Sequence, residues 1–185
     1  MADVTFEVDG EIFTAHRLVL SARSLVFKAQ FFGSRIVESK LKSILIKDIK
    51  PEIFKAMLHF IYSDSLPHMS DKDIPIVTQI QQLYKVADTY ALDGLKAVCE
   101  KVLMRSVSVD TVIISLALAE EHNCPELKDV CSDFACMPEN LIQLALKAEY
   151  VELMHSYPFL LKHFGEHARD NAGFSSLVLK TKRIN

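Results

Sequence analysis

Glycine-based catalytic motifs are missing from this chain. Five of its 185 residues are glycine, and none forms G-x-G-x-x-G, a phosphate-binding P-loop or a G-x-S-x-G elbow. His163 and His167 flank Glu166 on one helical face, but the order is not H-E-x-x-H, and we interpret this face as solvated. We therefore predict that the protein is not an enzyme and has no catalytic residue and no cofactor.

An excess of positive charge and a long apolar run are also missing. With 21 Lys and Arg against 24 Asp and Glu, the net charge is −3, which disfavours a nucleic-acid partner. Tryptophan is absent, and the other aromatic residues follow helical stripes instead of forming base-stacking platforms. No apolar run approaches the ~18 residues of a membrane span, and acidic residues instead of a signal peptide follow Met1. We predict an intracellular protein, cytoplasmic and/or nuclear, with no membrane partner.

The chain also lacks a pair of closely spaced cysteines. The four cysteines, Cys99, Cys124, Cys131 and Cys136, include no C-x-x-C pair. Without a secretory signal they are expected to be reduced thiols. His122 with the last three cysteines has the residue types of a zinc site, but Cys131 falls within an apolar helical stripe. We favour buried thiols over this metal site.

The N-terminal segment has the pattern of a β-hairpin. Val4, Phe6 and Val8 alternate with polar residues, the period of a half-buried strand. Asp9-Gly10 is a two-residue turn signal, because glycine tolerates the positive φ that such a turn requires. Residues 12–15 form the return strand, and the short apolar run at residues 43–47 is long enough for a third.

Helical patterns follow the hairpin. Ser24 is a candidate N-cap with Gly33 at the end of that helix, and Pro51, Pro125 and Pro138 suit first helical turns. Ser108 is expected to cap a helix that runs to residue 122. The sequence thus predicts an α+β fold, a small three-stranded sheet covered by helices, followed by an all-helical extension.

Three segments resemble the BTB (POZ) domain of the MATH-BTB family, which includes the speckle-type POZ protein and its plant relatives. They read AHRLVLSARSLVF at residues 15–27, PEIFKAMLHFIY at residues 51–62 and ADTYALDGLKAVCE at residues 87–100. The resemblance implies a BTB/POZ domain over residues 1–106 and a BACK-like helical segment over residues 107–170. Residues 171–185 are expected to form a loosely ordered tail.

The resemblance also implies a function. Family members bind Cullin-3 and act as substrate adaptors of a ubiquitin ligase. Their cullin signature, a hydrophobic residue, any residue and then Glu, is matched by Ile36, Val37 and Glu38. An exposed apolar side chain would fill a pocket on the partner while the carboxylate fixes orientation.

Two further sites are implied by the resemblance. Val19 matches a dimer-interface position, with Leu18 contributing from the same helix, and Asp3 and Arg17 match a buried charged pair. Compared with the family, the chain is expected to lack the MATH domain and the short helix that precedes the first strand. An alternative function is therefore a non-ligase assembly partner that pairs with itself or with full-length MATH-BTB proteins and modulates them.

Overall fold

The computed structural model describes residues 2–33, 43–70, 74–160 and 162–166. The chain divides into two compact units, Met1–Val102 and Leu103–Asn185. Among the described residues, no helix combines the length and the apolar character needed to cross a membrane.

The first unit contains the predicted three-stranded sheet. Its strands are β1 (Val4–Val8), β2 (Glu11–Ala15) and β3 (Ser43–Ile46), in the order β2-β1-β3. β1 pairs antiparallel with β2 and parallel with β3. Asp9 and Gly10 have φ of 46° and 82°, which is the backbone of a tight hairpin turn, so the turn prediction is confirmed.

Five helices accompany this sheet among the described residues, and the last of them continues past Val102 into the second unit. They are α1 (Arg17–Arg23), α2 (Leu25–Phe32), α3 (Pro51–Ser63), α4 (Ile76–Thr89) and α5 (Asp93–Arg105). Ser24 caps α2 as predicted, because its Oγ accepts the Phe27 amide at 3.1 Å. The same hydroxyl donates to the Tyr90 carbonyl at 2.5 Å, so it connects α2 to the end of α4.

Gly33 ends α2 by a different mechanism from the one expected. Its φ is −71°, outside the left-handed region that usually selects glycine at a helix end. A Cβ at this position would lie 2.3 Å from the Ala29 carbonyl oxygen, to which the Gly33 amide donates at 2.9 Å. The lack of space for a Cβ beside the Ala29 carbonyl oxygen, and not a positive φ, explains why this position is a glycine.

The inner face of the sheet packs against aromatic side chains of the helices. The Phe6 ring on β1 lies 5.8 Å from Phe27 and 5.2 Å from Phe54, measured between centroids. Phe27 also stacks on Tyr90 at 4.7 Å. All four side chains are buried, so the alternation that predicted β1 places Phe6 at the centre of this core.

The described residues of the second unit form helices and connecting turns, with no strand among them. Its helices are α6 (Val112–Glu121), α7 (Pro125–Ala135), α8 (Pro138–Ala145) and α9 (Ala148–Ser156), and residues 162–166 are also helical. Pro125 and Pro138 stand at the first positions of α7 and α8, as predicted.

The predicted N-cap at Ser108 is wrong. The helix begins later, at Val112, and the Ser108 carbonyl accepts the amides of Thr111 and Val112 at 3.1 and 2.9 Å. The Thr111 hydroxyl receives the Ser108 amide at 2.9 Å and donates to the Ser106 carbonyl at 2.8 Å. Ser108 therefore opens a hydrogen-bonded turn, which a serine favours as readily as a helix start.

Candidate protein-interaction surface

Helix α1 presents a large apolar side chain to solvent. Leu18 is 74% exposed, Val19 is half-buried, and Leu20 is fully buried in the core. The next helix, α2, exposes Leu25 and Phe32 while it buries Phe27 and Phe31. An exposed leucine on a well-packed helix has no role in the core of its own unit, which makes α1 a candidate contact surface.

Two contacts fix α1 against α3. The backbone amide of His16, just before α1, donates to the Tyr62 hydroxyl at 2.9 Å, and His16 Nδ1 lies 2.9 Å from the same oxygen. At the other end, Arg23 forms an ion pair with Asp64, the residue that ends α3 with φ of 54°. The ion pair is partly exposed and contributes little energy by itself, but the two contacts together hold the helix that carries Leu18.

These positioning residues were not predicted as a set. The sequence places Tyr62 within a recognised motif and Asp64 at a helix end, but nothing in the spacing connects either one to α1. Pairing between residues 16 and 62 depends on how the two helices pack, which periodicity does not specify.

Asp3 and Arg17 lie close together, but Asp3 is not buried as the resemblance implied. The Asp3 carboxylate accepts the backbone amide of Arg17 at 2.8 Å, and the Arg17 guanidinium lies 5.4 Å from the centre of the Phe31 ring. Asp3 is exposed in the single chain, so its predicted burial is wrong there. The physical reason is that its carboxylate accepts the first amide of α1, and this contact at a helix start can be made at the surface of the unit.

Ile36, Val37 and Glu38 lie outside the described residues. The predicted cullin signature therefore stays a prediction. The described residues nearest to it in sequence are Gly33, at the end of α2, and Ser43, at the start of β3.

The cysteines lie in apolar surroundings. Burial raises the pKa of Cys99 and of Cys131 to about 12, because the thiolate is poorly solvated there. The Cys136 thiol, which is less buried, donates to the Phe164 carbonyl at 3.6 Å. Within the described parts of the chain, no three His, Cys, Asp or Glu side chains come together as metal ligands. His163 Nε2 instead lies 3.1 Å from the Ser132 hydroxyl.

Comparison with known proteins identifies the class to which this fold belongs. The sequence matches the BTB/POZ domain family over residues 1–107 and the BPM/SPOP BACK domain family over residues 111–164. The chain belongs to the BTB/POZ family, and its second matched segment is the BACK domain type of the BPM and SPOP proteins. The predicted fold class and family resemblance are confirmed.

Individual relatives refine this placement. The chain is 43% identical over 164 residues to BTB/POZ and MATH domain-containing protein 3 of Arabidopsis thaliana, a match that covers 86% of this chain and 40% of that protein. It is 32% identical over 154 residues to Kelch repeat and BTB domain-containing protein 4 of Mus musculus, covering 83% of this chain and 27% of the other. The solved BTB domain of zebrafish PATZ1 is 25% identical, with a TM-score of 0.45, over 57% of this chain and 77% of its own. The chain thus spans less than half the length of the Arabidopsis and mouse relatives.

Proposed function

We propose that this chain is a protein-interaction module that acts as a substrate adaptor of a Cullin-3 RING ubiquitin ligase. The observation that carries the proposal is the paired match to a BTB/POZ domain and a BPM/SPOP-type BACK domain. The work of such a module is to hold other polypeptides, in keeping with an intracellular protein that acts in protein ubiquitination without catalysing the reaction itself.

The proposed cullin contact uses Ile36, Val37 and Glu38. An apolar side chain that enters a pocket on the partner gains free energy by leaving water, and a neighbouring carboxylate gives the contact its orientation. A few such residues usually carry most of the binding energy of an interface. We therefore expect the contact to be sensitive to the loss of Ile36 and Glu38 together.

Binding to the purified N-terminal region of Cullin-3, measured by calorimetry, tests this contact. The Ile36→Ala, Glu38→Ala double variant should bind at least about tenfold more weakly. The matched control is Glu11→Ala, Ile12→Ala, which removes an exposed glutamate and an exposed isoleucine from β2. Unchanged cullin binding by the first variant, or equal loss in both, would contradict the proposed site.

The proposed dimer contact uses Leu18 and Val19 on α1. Burying a leucine that is now exposed contributes roughly 1.5–3 kcal/mol per subunit, so replacing it by a charge should oppose association. Light scattering at several concentrations should show a dimer for the natural chain and a monomer for Leu18→Asp. Leu45→Asp, at an exposed leucine on β3, is the control and should leave the mass unchanged.

The same α1 surface supports an alternative function. A chain that resembles the Arabidopsis MATH-BTB protein at 43% identity can offer a related α1 to a full-length relative as readily as to itself. It would then act as a non-ligase partner that modulates such proteins. Co-expression with a full-length MATH-BTB protein, followed by mass measurement, should recover a mixed dimer that Leu18→Asp abolishes; separate chains only would rule this function out.

A further inference from the structure

A cleft of about 450 Å³ lies within the first unit, between the connection from β3 to α3 and helix α4. Residues 47–50 form one wall, and side chains from α4 form the other. Its volume falls in the range of protein pockets that bind ligands. No residue that lines this cleft belongs to the proposed cullin or dimer contact, so an inference about it does not rest on the proposed function.

Three buried side chains contribute an apolar lining to the cleft. Ile53 comes from α3, Val86 from α4 and Tyr90 from the end of α4. Each is less than 9% exposed, and Tyr90 is held further by its stacking on Phe27. The lining is therefore fixed by the core, and the small exposed area of these side chains forms a rigid apolar floor to the cleft.

Positive charge surrounds this apolar lining. Lys47, Lys50 and Lys85 line the cleft and are exposed, and Asp48 is the one carboxylate in its lining. Lys50 is also the N-cap residue of α3, a helix of 13 residues, so the aligned peptide dipoles add to the positive potential at this end. Glu52 in the first turn of α3 lines a different groove.

This local charge is opposite in sign to the net charge of the chain. The whole sequence carries −3, whereas the cleft concentrates three ammonium groups against one carboxylate. A concave site with one dominant sign of charge attracts ligands of the other sign and rejects those of its own. This charge favours an anionic occupant, and the apolar floor favours one that also carries an apolar group.

We propose that the cleft formed by Lys47, Lys50 and Lys85 around Ile53, Val86 and Tyr90 binds an acidic linear segment of a partner protein. An apolar side chain of the segment rests on the buried lining, and its flanking carboxylates meet the three ammonium groups. A free inorganic anion would make no use of the apolar lining, and a flat membrane surface would not enter a cleft. The cleft thus gives the chain a further protein contact, in addition to the proposed cullin and dimer contacts.

Fluorescence polarisation with synthetic peptides tests the proposal on the full chain. The probes are fluorescein-labelled peptides with a central leucine, isoleucine or phenylalanine flanked by glutamate and aspartate. At least one should bind saturably, its affinity should fall with added salt, and unlabelled inorganic phosphate at equal concentration should not displace it. Peptides with lysine in place of the acidic residues should not bind.

Charge reversal locates the binding site. The variant Lys47→Glu, Lys50→Glu, Lys85→Glu should lose at least about tenfold in peptide affinity. The matched control, Lys28→Glu, Lys55→Glu, Lys101→Glu, has the same net charge, changes exposed lysines outside the cleft and should bind within about twofold of the natural chain. Circular dichroism confirms that both variants fold.

Any of three peptide-binding results would overturn the inference: no acidic peptide binds, both triple variants lose affinity equally, or phosphate displaces the peptide at equal concentration. Cullin-3 binding, measured on the same variants, separates this proposal from the adaptor proposal. The cleft variant should bind Cullin-3 like the control variant. If the cleft variant lost Cullin-3 binding but kept peptide binding, the three lysines would belong to the cullin contact, and the proposal would be refuted.

Discussion

The two units of this chain bury different kinds of side chain. The core of the first unit is built on aromatic rings, with Phe27 between Phe6 and Tyr90. The core of the second unit is aliphatic and thiol-containing, with Leu116, Leu127, Cys131 and Leu144 fully or almost fully buried; Phe164 is the one buried aromatic residue among its described residues.

This difference has an energetic consequence. An aromatic ring buries more apolar area than an aliphatic side chain and gains further from ring–ring geometry. Both units leave large apolar side chains in solvent, for example Leu18 in the first and Leu146 in the second, so the contrast lies in their cores. We therefore expect the second unit, which lacks the aromatic core, to open more easily than the first.

The largest expected effect is in the aromatic core. Phe27→Ala removes a fully buried ring that contacts rings from β1, from α2 and from the end of α4, and should lower the free energy of unfolding by about 3–5 kcal/mol. The control is Phe32→Ala on the same helix, where the ring is 59% exposed and the loss should stay below about 1 kcal/mol. Urea denaturation measures both, and similar losses would contradict the assignment of the core.

A smaller effect is expected in the aliphatic core. Leu116→Ala on α6 should lower the free energy of unfolding by roughly 2–4 kcal/mol, since fewer contacts are lost than with a ring. Ile114→Ala on the same helix is the control, because that side chain is 53% exposed. If Leu116→Ala costs more than Phe27→Ala, the proposed contrast between the cores is wrong.

The sequence predicts the parts of this fold that depend on local pattern. Alternation identified β1, Asp9-Gly10 identified its turn, and Ser24 identified the start of α2, because each signal acts within a few residues. The Ser108 prediction failed at the same local level, since a serine bonds a turn and a helix start equally well.

The interaction sites depend on packing between distant segments. Asp3 is exposed, although the resemblance implied burial, and its carboxylate accepts the Arg17 amide at the start of α1. The charged cleft was not predicted at all, since Lys47 and Lys85 come from separate elements that periodicity does not place together. The cullin signature at Ile36 stays a prediction from a sequence motif, which gives no geometry for the contact.

The smallest effect is chemical and compares the units directly. Cys99 in the first unit and Cys131 in the second are both fully buried with a pKa of about 12, so neither forms appreciable thiolate at pH 8 while its core stays closed. Because burial raises both pKa values, labelling by iodoacetamide should be slow at neutral pH and should depend on local opening.

Mass spectrometry of the labelled peptides should find Cys136 modified first, then Cys131, and Cys99 last. Phe27→Ala should accelerate Cys99 more than Cys131, and Leu116→Ala should do the reverse. Faster labelling of Cys99 than of Cys131 in the natural chain would show that the aromatic core is the weaker one, because two thiols that are both fully buried, each with a pKa of about 12, then differ mainly in how often their surroundings open.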